Sequence, residues 1–409
     1  MNFFNHIAKH LPFFLPLLLC FSRSIADITV ITISILFLTK SFYEKDFHWL
    51  TFSWIKVFIL FFIFLLLVNT PLSSNPSNSL FYSITFIRWP LFAIAIFIWI
   101  LRDEKSLDYL LFGSLLVSFI YLIDLLFQFY INKSGLFEFI SNPHPYRLSV
   151  PFSTNVIPGR FLIYLSLFIT SIIFYRENKI YLFKSLSKIL LTLMISFFLI
   201  IITGERMSFM IFLSCILFIQ FALIYNQKNL LLKIIIFNVI LIVFYLSLTS
   251  NNPQIHDRSY SSTIHKLINF SNSDYGVVFI SSVKKWLQNP FFGSGIHQFR
   301  SIEPIYGFGI MDKIKLLHAH NYPLNLLVET GITGLIFFYA IIYFLIKEIF
   351  LKTRANFPLM IFLLIFLYVS FFPLHSHFSL SHNWINSIAW FSVGLMLAIS
   401  SFYEKNNKN

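Results

Sequence analysis

Residues 49–69 read WLTFSWIKVFILFFIFLLLVN. Only one charge, Lys56, interrupts this run, and it lies close to one end. A helix rises about 1.5 Å per residue, so roughly 20 apolar residues cross the ~30 Å of hydrocarbon in a bilayer. The run is long enough, and Lys56 can extend its amine to the polar boundary. Eleven further runs share this character: 11–22, 24–40, 80–101, 107–131, 161–175, 187–203, 207–225, 234–249, 322–346, 357–374 and 384–402. The composition agrees. Of 409 residues, 57% are hydrophobic and 11% charged, and the 54 Phe outnumber the 30 basic and 17 acidic residues together. Soluble domains carry about 25% charged residues, so a soluble multidomain chain is excluded. The expected fold is an all-α integral membrane protein with about 12 transmembrane helices.

Charge orients the chain. The net charge of +13 is scattered through short gaps between apolar runs and forms no compact basic patch, which argues against a nucleic-acid partner. With two spans in 11–40 and the N-terminus inside, sixteen of the 30 basic residues fall in inside segments. The outside loops 70–79 and 375–383 then hold none. A single span over 11–40 would invert everything after it. Twelve spans with both termini inside therefore satisfy the positive-inside rule. Cys20 and Cys215 lie within apolar runs, so no disulfide framework is expected. The first apolar stretch leads into the second without an A-x-A-like cleavage site.

One gap is far longer than the rest. The expected organisation is a bundle over 1–249, a large outside loop over 250–319 and three spans over 320–409. The loop contains Pro253, Pro290 and Pro304, with paired glycines at Gly293/Gly295 and Gly307/Gly309. Phe279, Ile280, Val283, Trp286 and Leu287 recur at helical spacing, with Lys284 and Lys285 elsewhere on the wheel. This predicts an amphipathic helix ending before Asn289-Pro290, its apolar face on the membrane surface or on the bundle. Loops this long are more often functional than incidental.

Polar groups collect at the outer edge. Thr203-Gly204-Glu205-Arg206 forms a whole outside turn, and Arg147 and Arg160 flank the outside segment Pro151–Pro158. His318-Ala319-His320-Asn321 closes the long loop, and nine residues later comes Gly331-Ile332-Thr333-Gly334. Each such residue, taken alone, can be an interfacial side chain reaching water. Together, H-N-x9-G-x-x-G, the upstream stretch Asn289-Pro290-Phe291-Phe292-Gly293-Ser294-Gly295 and the turn Thr203–Arg206 resemble the O-antigen ligase/polymerase family of bacterial surface-polysaccharide enzymes. The resemblance covers about residues 140–340.

The resemblance implies a glycosyltransferase that moves a glycan from an undecaprenyl-diphosphate carrier to an acceptor hydroxyl at the periplasmic face of the inner membrane, with the large loop periplasmic. The acceptor is lipid A-core for a ligase and another lipid-linked glycan for a polymerase; ligase is the first reading. His320 and Arg206 are the implied catalytic residues. Histidine titrates near neutrality and can take the acceptor's proton. Arginine forks onto phosphate oxygens and stays charged. Because diphosphate leaves readily once cations neutralise it, neither metal nor cofactor is expected. Arg147, Arg160, Arg88 and Asn321 are further candidates for substrate binding, Asn321 also as a helix cap ahead of Pro323. Gly331 and Gly334 are expected to admit a neighbouring helix. The sequence departs from the family at Tyr275, where many relatives have arginine; Arg258 and Arg300 are the candidate substitutes.

Charges inside the spans form a second group. Arg88 and Asp124 fall at matched depth, which suggests either a polar pocket or an ion pair that spares each a burial cost of about 2.5–3.5 kcal/mol. Glu329, nine residues below His320 on a straight helix, faces away from it and is expected to pack rather than form a His–Glu dyad. Glu205 is the alternative base, although a carboxylate beside Arg206 is expected to be ionised and paired. His375, His377 and His382 have a spacing that could bind zinc, but no Cys or carboxylate nearby supports it. A secondary transporter is the reading from another class. The absence of a detectable repeat and the outer-edge clustering argue against it.

Overall fold

The computed structural model describes residues 2–131, 135–136, 147–177, 182–257, 261–301, 318–373 and 383–408. Every regular element among them is helical. In chain order the helices are α1 (Asn2–Cys20), α2 (Arg23–Glu44), α3 (Ser53–Phe64, continued by a π turn Leu65–Asn69), α4 (Pro76–Phe86), α5 (Arg88–Ile94, continued by a π turn Ala95–Ile100), α6 (Glu104–Tyr130), α7 (Pro158–Glu177), α8 (Leu182–Ile202) and α9 (Arg206–Asn226). They continue as α10 (Leu231–Asn251), the short α11 (Pro253–His256) and α12 (Ser262–Ile268), then α13 (Asp274–Trp286), α14 (Tyr322–Thr353), α15 (Phe357–Phe371) and α16 (Asn383–Lys408). Among the described residues, eight helices are long and apolar enough to cross a membrane. The other four expected spans coincide with shorter apolar helices, Ala8–Cys20, Ser53–Asn69, Leu186–Ile202 and Phe357–Phe371. Residues 11–40 are two helices, broken at Phe21-Ser22.

Local chemistry starts and stops these helices. Asp103 caps α6 by accepting the Ser106 N–H at 2.9 Å. Asn75, Asn321 and Asn356 each cap a helix whose first turn carries a proline, a position where the missing N–H would have no helical partner anyway. Burial then sorts the helices. The apolar windows of α7 and α16 are 100% and 94% buried, whereas that of α10 is 22% buried. So α7 and α16 form the centre, and α10 turns its apolar surface outward, as lipid contact allows.

The two ends of the bundle are distinct. At one end Arg176 of α7 pairs with Glu104 at 2.6 Å and with Asp108, both on α6. Asn406 of α16 donates to the same Glu104. At the opposite end lie Pro158 of α7, Asn383 of α16 and the C-terminus of α15. The Tyr164 and Ser370 hydroxyls, 3.0 Å apart, join α7 to α15 near that second end.

The expected Arg88–Asp124 pair is not formed. Arg88 instead faces Asp27 of α2, Nη2 to Oδ1 at 3.3 Å, and donates to Asn383 Oδ1 at 2.8 Å. Asn383 in turn donates to Asp27 Oδ2 at 2.9 Å, which closes a triangle between α2, α5 and α16. Asp124 binds its own neighbourhood: Gln128 Nε2 donates to Oδ2 at 2.7 Å and the Leu136 N–H to Oδ1 at 2.9 Å. Gln128 also accepts the Ser149 N–H at 2.9 Å. Asp124 and Gln128 thus clamp both flanks of the segment between α6 and α7. Matched depth had said nothing about which helices are neighbours.

Candidate functional site

The site is built around a break in α14. Gly331 has φ 67° and ψ −172°, so the helix that begins at Tyr322 stops and restarts there. From Ile332 to Thr353 the restarted helix is roughly 33 Å long at 1.5 Å per residue, enough by itself for the hydrocarbon. Into the break fits the loop that comes after α13. Ile332 donates to the Pro290 carbonyl at 2.9 Å and Thr333 to the Phe291 carbonyl at 3.2 Å. From the other side, the N–H groups of Ser294 and Gly295 reach the Val328 and Glu329 carbonyls, each at 2.9 Å. A Cβ on Gly331 would collide with the Phe291 backbone, and one on Gly293 (φ 71°) with the backbone of Glu329 and Thr330. What approaches Gly331 is therefore loop backbone, not the neighbouring helix expected from G-x-x-G. At Gly334 the neighbour is Thr330 of the same helix. The Glu329 side chain is buried just ahead of the break.

Asn69 completes the interlock, and sequence reasoning missed it. Its Nδ2 donates to the Phe292 carbonyl at 2.6 Å and to the Glu329 carbonyl at 2.9 Å, joining the π turn after α3 to both sides of the joint. Ser73 Oγ donates to the Ser294 carbonyl at 3.0 Å from the same connection. The signal was present but faint: one amide ending a long apolar run.

The long-loop helix forms as α13, capped by Ser273, whose hydroxyl accepts the Gly276 N–H at 3.2 Å. Its inner face differs from the expected one. Val278 is buried with Leu324 and Val328 of α14, with Val283 and Trp286 packed alongside, whereas Phe279 and Leu287 are 44% and 60% exposed. Trp286 Nε1 donates to the Pro290 carbonyl at 3.1 Å and so ties α13 to the loop in the break.

His320 stands directly before the broken helix with φ 53°, a left-handed conformation unusual for a side chain with a Cβ. Asn321 fixes the first turn of α14. It accepts the Leu324 N–H at 2.9 Å as N-cap and donates to the Pro373 carbonyl at the end of α15. The His318 ring lies 4.1 Å from that of His320, and the Tyr275 ring meets His320 edge-on at 5.7 Å. His320 keeps an exposed surface, yet the protein packed around it pushes its pKa below the ordinary imidazole value. A neutral imidazole is what a proton acceptor requires.

Arg206 opens α9 at the same end of the bundle, half-buried, after the turn Thr203–Glu205. It lines a shallow cleft with Ile200, Ile201, Glu205, Phe209, Tyr245 and Ile255. His320 does not line this cleft. Glu205, the alternative base, is committed elsewhere. Its Oε1 accepts the Gly159 N–H at 2.6 Å and its Oε2 the Ser208 hydroxyl at 2.8 Å. Burial raises its pKa, while Arg147, those hydrogen bonds and Arg160 pull it back down. Arg160 is only 5% exposed, and Arg147 donates to the Val156 carbonyl. Arg147 and Arg160 are therefore the cations facing Glu205. Arg88 lies at the same end of the bundle in its triangle with Asp27 and Asn383. Arg258, His375, His377 and His382 lie outside the described residues, and of Arg300 only the backbone is described, in the turn Gln298–Ser301.

Together these features define a multi-pass helical membrane protein with a polar site at one end, built where a long loop enters a broken helix. Residues 191–339 match the family model described as O-antigen ligase, and the matched segment is similar to that family. It runs from α8 through the break in α14 and includes Arg206, the loop Asn289–Gly295, His320 and Gly331. The family covers ligases and polymerases and consists of glycosyltransferase-like enzymes. None of the curated proteins compared matches the chain.

Proposed function

We propose that this chain transfers a glycan from an undecaprenyl-diphosphate carrier to a lipid A-core acceptor at the periplasmic face of the inner membrane. Both termini are cytoplasmic and the 250–319 loop is periplasmic in this reading. The observation that carries it is the interlock of the matched segment, which holds His320 at the mouth of α14. Arg206 lies at the same end of the bundle.

The acceptor hydroxyl gives its proton to His320 as its oxygen attacks the anomeric carbon of the donor sugar. The bond from that carbon to the diphosphate oxygen breaks, and the diphosphate departs with its electron pair. Arg206, forked onto the diphosphate oxygens, offsets the added charge without a metal ion. The apolar wall of the Arg206 cleft suits a carrier whose tail remains in lipid while its diphosphate lies at headgroup level. Arg147 and Arg160 add positive potential behind the turn but are held toward Glu205.

A polymerase would use the same site with a lipid-linked glycan as acceptor. The glycan phenotype of a deletion strain tests the assignment. Complete polymer left on its carrier supports the ligase, loss of polymer assigns the polymerase, and an unchanged glycan profile contradicts both.

A further inference from the structure

Two adjacent phenylalanines of the interlock carry much of their surface outside it. The loop in the α14 break turns its backbone inward. The Pro290 and Phe291 carbonyls accept from Ile332 and Thr333, and the Phe292 carbonyl accepts from Asn69 Nδ2. With the backbone held in this way, the Phe291 and Phe292 side chains are left 66% and 42% exposed. Leu287, the residue that ends α13, is exposed as well, and Lys284 and Lys285 stand in the last turn of that helix. Three large apolar side chains in one short stretch, edged by two amines, form the kind of patch that marks a contact surface.

The helices around this patch fix its height. The restarted part of α14 is long enough to cross the hydrocarbon and begins at Ile332, so the loop bonded to Ile332 lies at the hydrocarbon's outer boundary. The apolar run of α3 ends at Asn69, which bonds to the same loop. Nearer the middle of the bundle, Ile63 and Leu67 of α3 and Ile336 of α14 are exposed, as lipid contact allows. Phe292 joins the loop to that surface. Its ring lies 6.4 Å from Phe64 of α3, which lies 5.7 Å from Phe337 of α14. The patch therefore continues the lipid-facing surface of these two helices.

We propose that Leu287, Phe291 and Phe292 insert into the outer leaflet of the bilayer that holds the bundle, with Lys284 and Lys285 at the level of the lipid phosphates. The partner is the membrane itself: acyl chains for the three apolar side chains, headgroup phosphates for the two amines. A lysine at the edge of an apolar face keeps its stem in the apolar layer and its ammonium in the headgroups. This wedge seats the interlock at one height in the leaflet, and with it the start of α14 that follows His320. The inference rests on the membrane placement of the bundle and is independent of the transfer chemistry.

The test attaches the fluorophore NBD to Phe291→Cys and, separately, to Leu287→Cys in the full chain. Each is reconstituted into nanodiscs of phosphatidylethanolamine and phosphatidylglycerol. Cys20 and Cys215 are buried, so the introduced thiol takes the label and the unsubstituted chain gives the background. Leu67→Cys on the lipid face and Asn407→Cys at the opposite, polar end of the bundle are the references. Both test positions should be quenched by lipid carrying a nitroxide high on its acyl chain, as strongly as Leu67→Cys. Their reduction by aqueous dithionite should be about tenfold slower than at Asn407→Cys, the bias that burying one large apolar group confers. Fast reduction at both positions without nitroxide quenching would overturn the proposal. Slow reduction without nitroxide quenching would overturn it too, because a protein surface such as a second copy would then be the cover. No part of this readout depends on glycan transfer, so failure here leaves that reading intact.

Discussion

His320 combines two properties that rarely coincide: an exposed surface and a pKa pushed down by the protein around it. The sign matters. A base works when unprotonated, and a lowered pKa delays protonation until the pH falls below the ordinary imidazole value of about 6.5. Transfer should therefore hold steady from about pH 8 to 6.5 and decline only in more acidic buffer. A pH–rate profile with its acidic limb above about 6.5 would contradict this assignment. The Arg88–Asp27–Asn383 triangle makes a second claim at this scale. Arg88→Asp and Asp27→Arg should each lower the amount of folded protein, and the double swap should recover much of it, whereas Arg88→Asp with Asp124→Arg should recover none. Abundance in the membrane fraction decides between them. His320 was legible because the motif names it. Asp27 was not, because depth along a helix is readable from sequence and the identity of a helix's neighbour is not.

Among the elements, the joint between α13, the 289–295 loop and the broken α14 is the central device. Both of its halves were visible in the sequence, as Asn289–Gly295 and as Gly331-x-x-Gly334. That one enters the other was hidden, because G-x-x-G reads the same whether a helix or a loop approaches. Gly331→Ala would force a Cβ into the Phe291 backbone at a left-handed φ. It should lower yield or melting temperature strongly and abolish activity. Asn69→Leu removes the donor shared by the Phe292 and Glu329 carbonyls and should destabilise by about 1–3 kcal/mol. Thermal unfolding in detergent measures both. If Gly331→Ala melts as wild type, the joint does not hold the site. The helix α13 shows a related limit: its existence followed from periodicity, but with apolar residues nearly all round, the packed face was set by what α14 offered it.

For the whole molecule, composition alone identified a membrane-embedded bundle, since so few charges cannot cover a soluble surface. Apolar run lengths found the helices, and the split of 11–40 into α1 and α2 followed from charge balance. The two polar ends, one with Arg176, Glu104 and Asp108 and the other with His320 and Arg206, give the orientation a concrete form. Reporter fusions after residues 45, 104, 230 or 350 should read cytoplasmic and a fusion within 250–319 periplasmic; a cytoplasmic signal from that loop would invert the bundle and move the site to the wrong face. The most direct measurement is glycan transfer from a purified undecaprenyl-diphosphate-linked donor to a lipid A-core acceptor by the purified full chain, in the presence of chelator. The wild type should transfer, His320→Ala should lose about 10²–10⁴ in rate, and Arg206→Lys should lose much of its activity because a point charge cannot fork onto the diphosphate. Transfer at the wild-type rate by His320→Ala, or transfer that stops when chelator is added, would contradict a metal-independent reaction with His320 as its base.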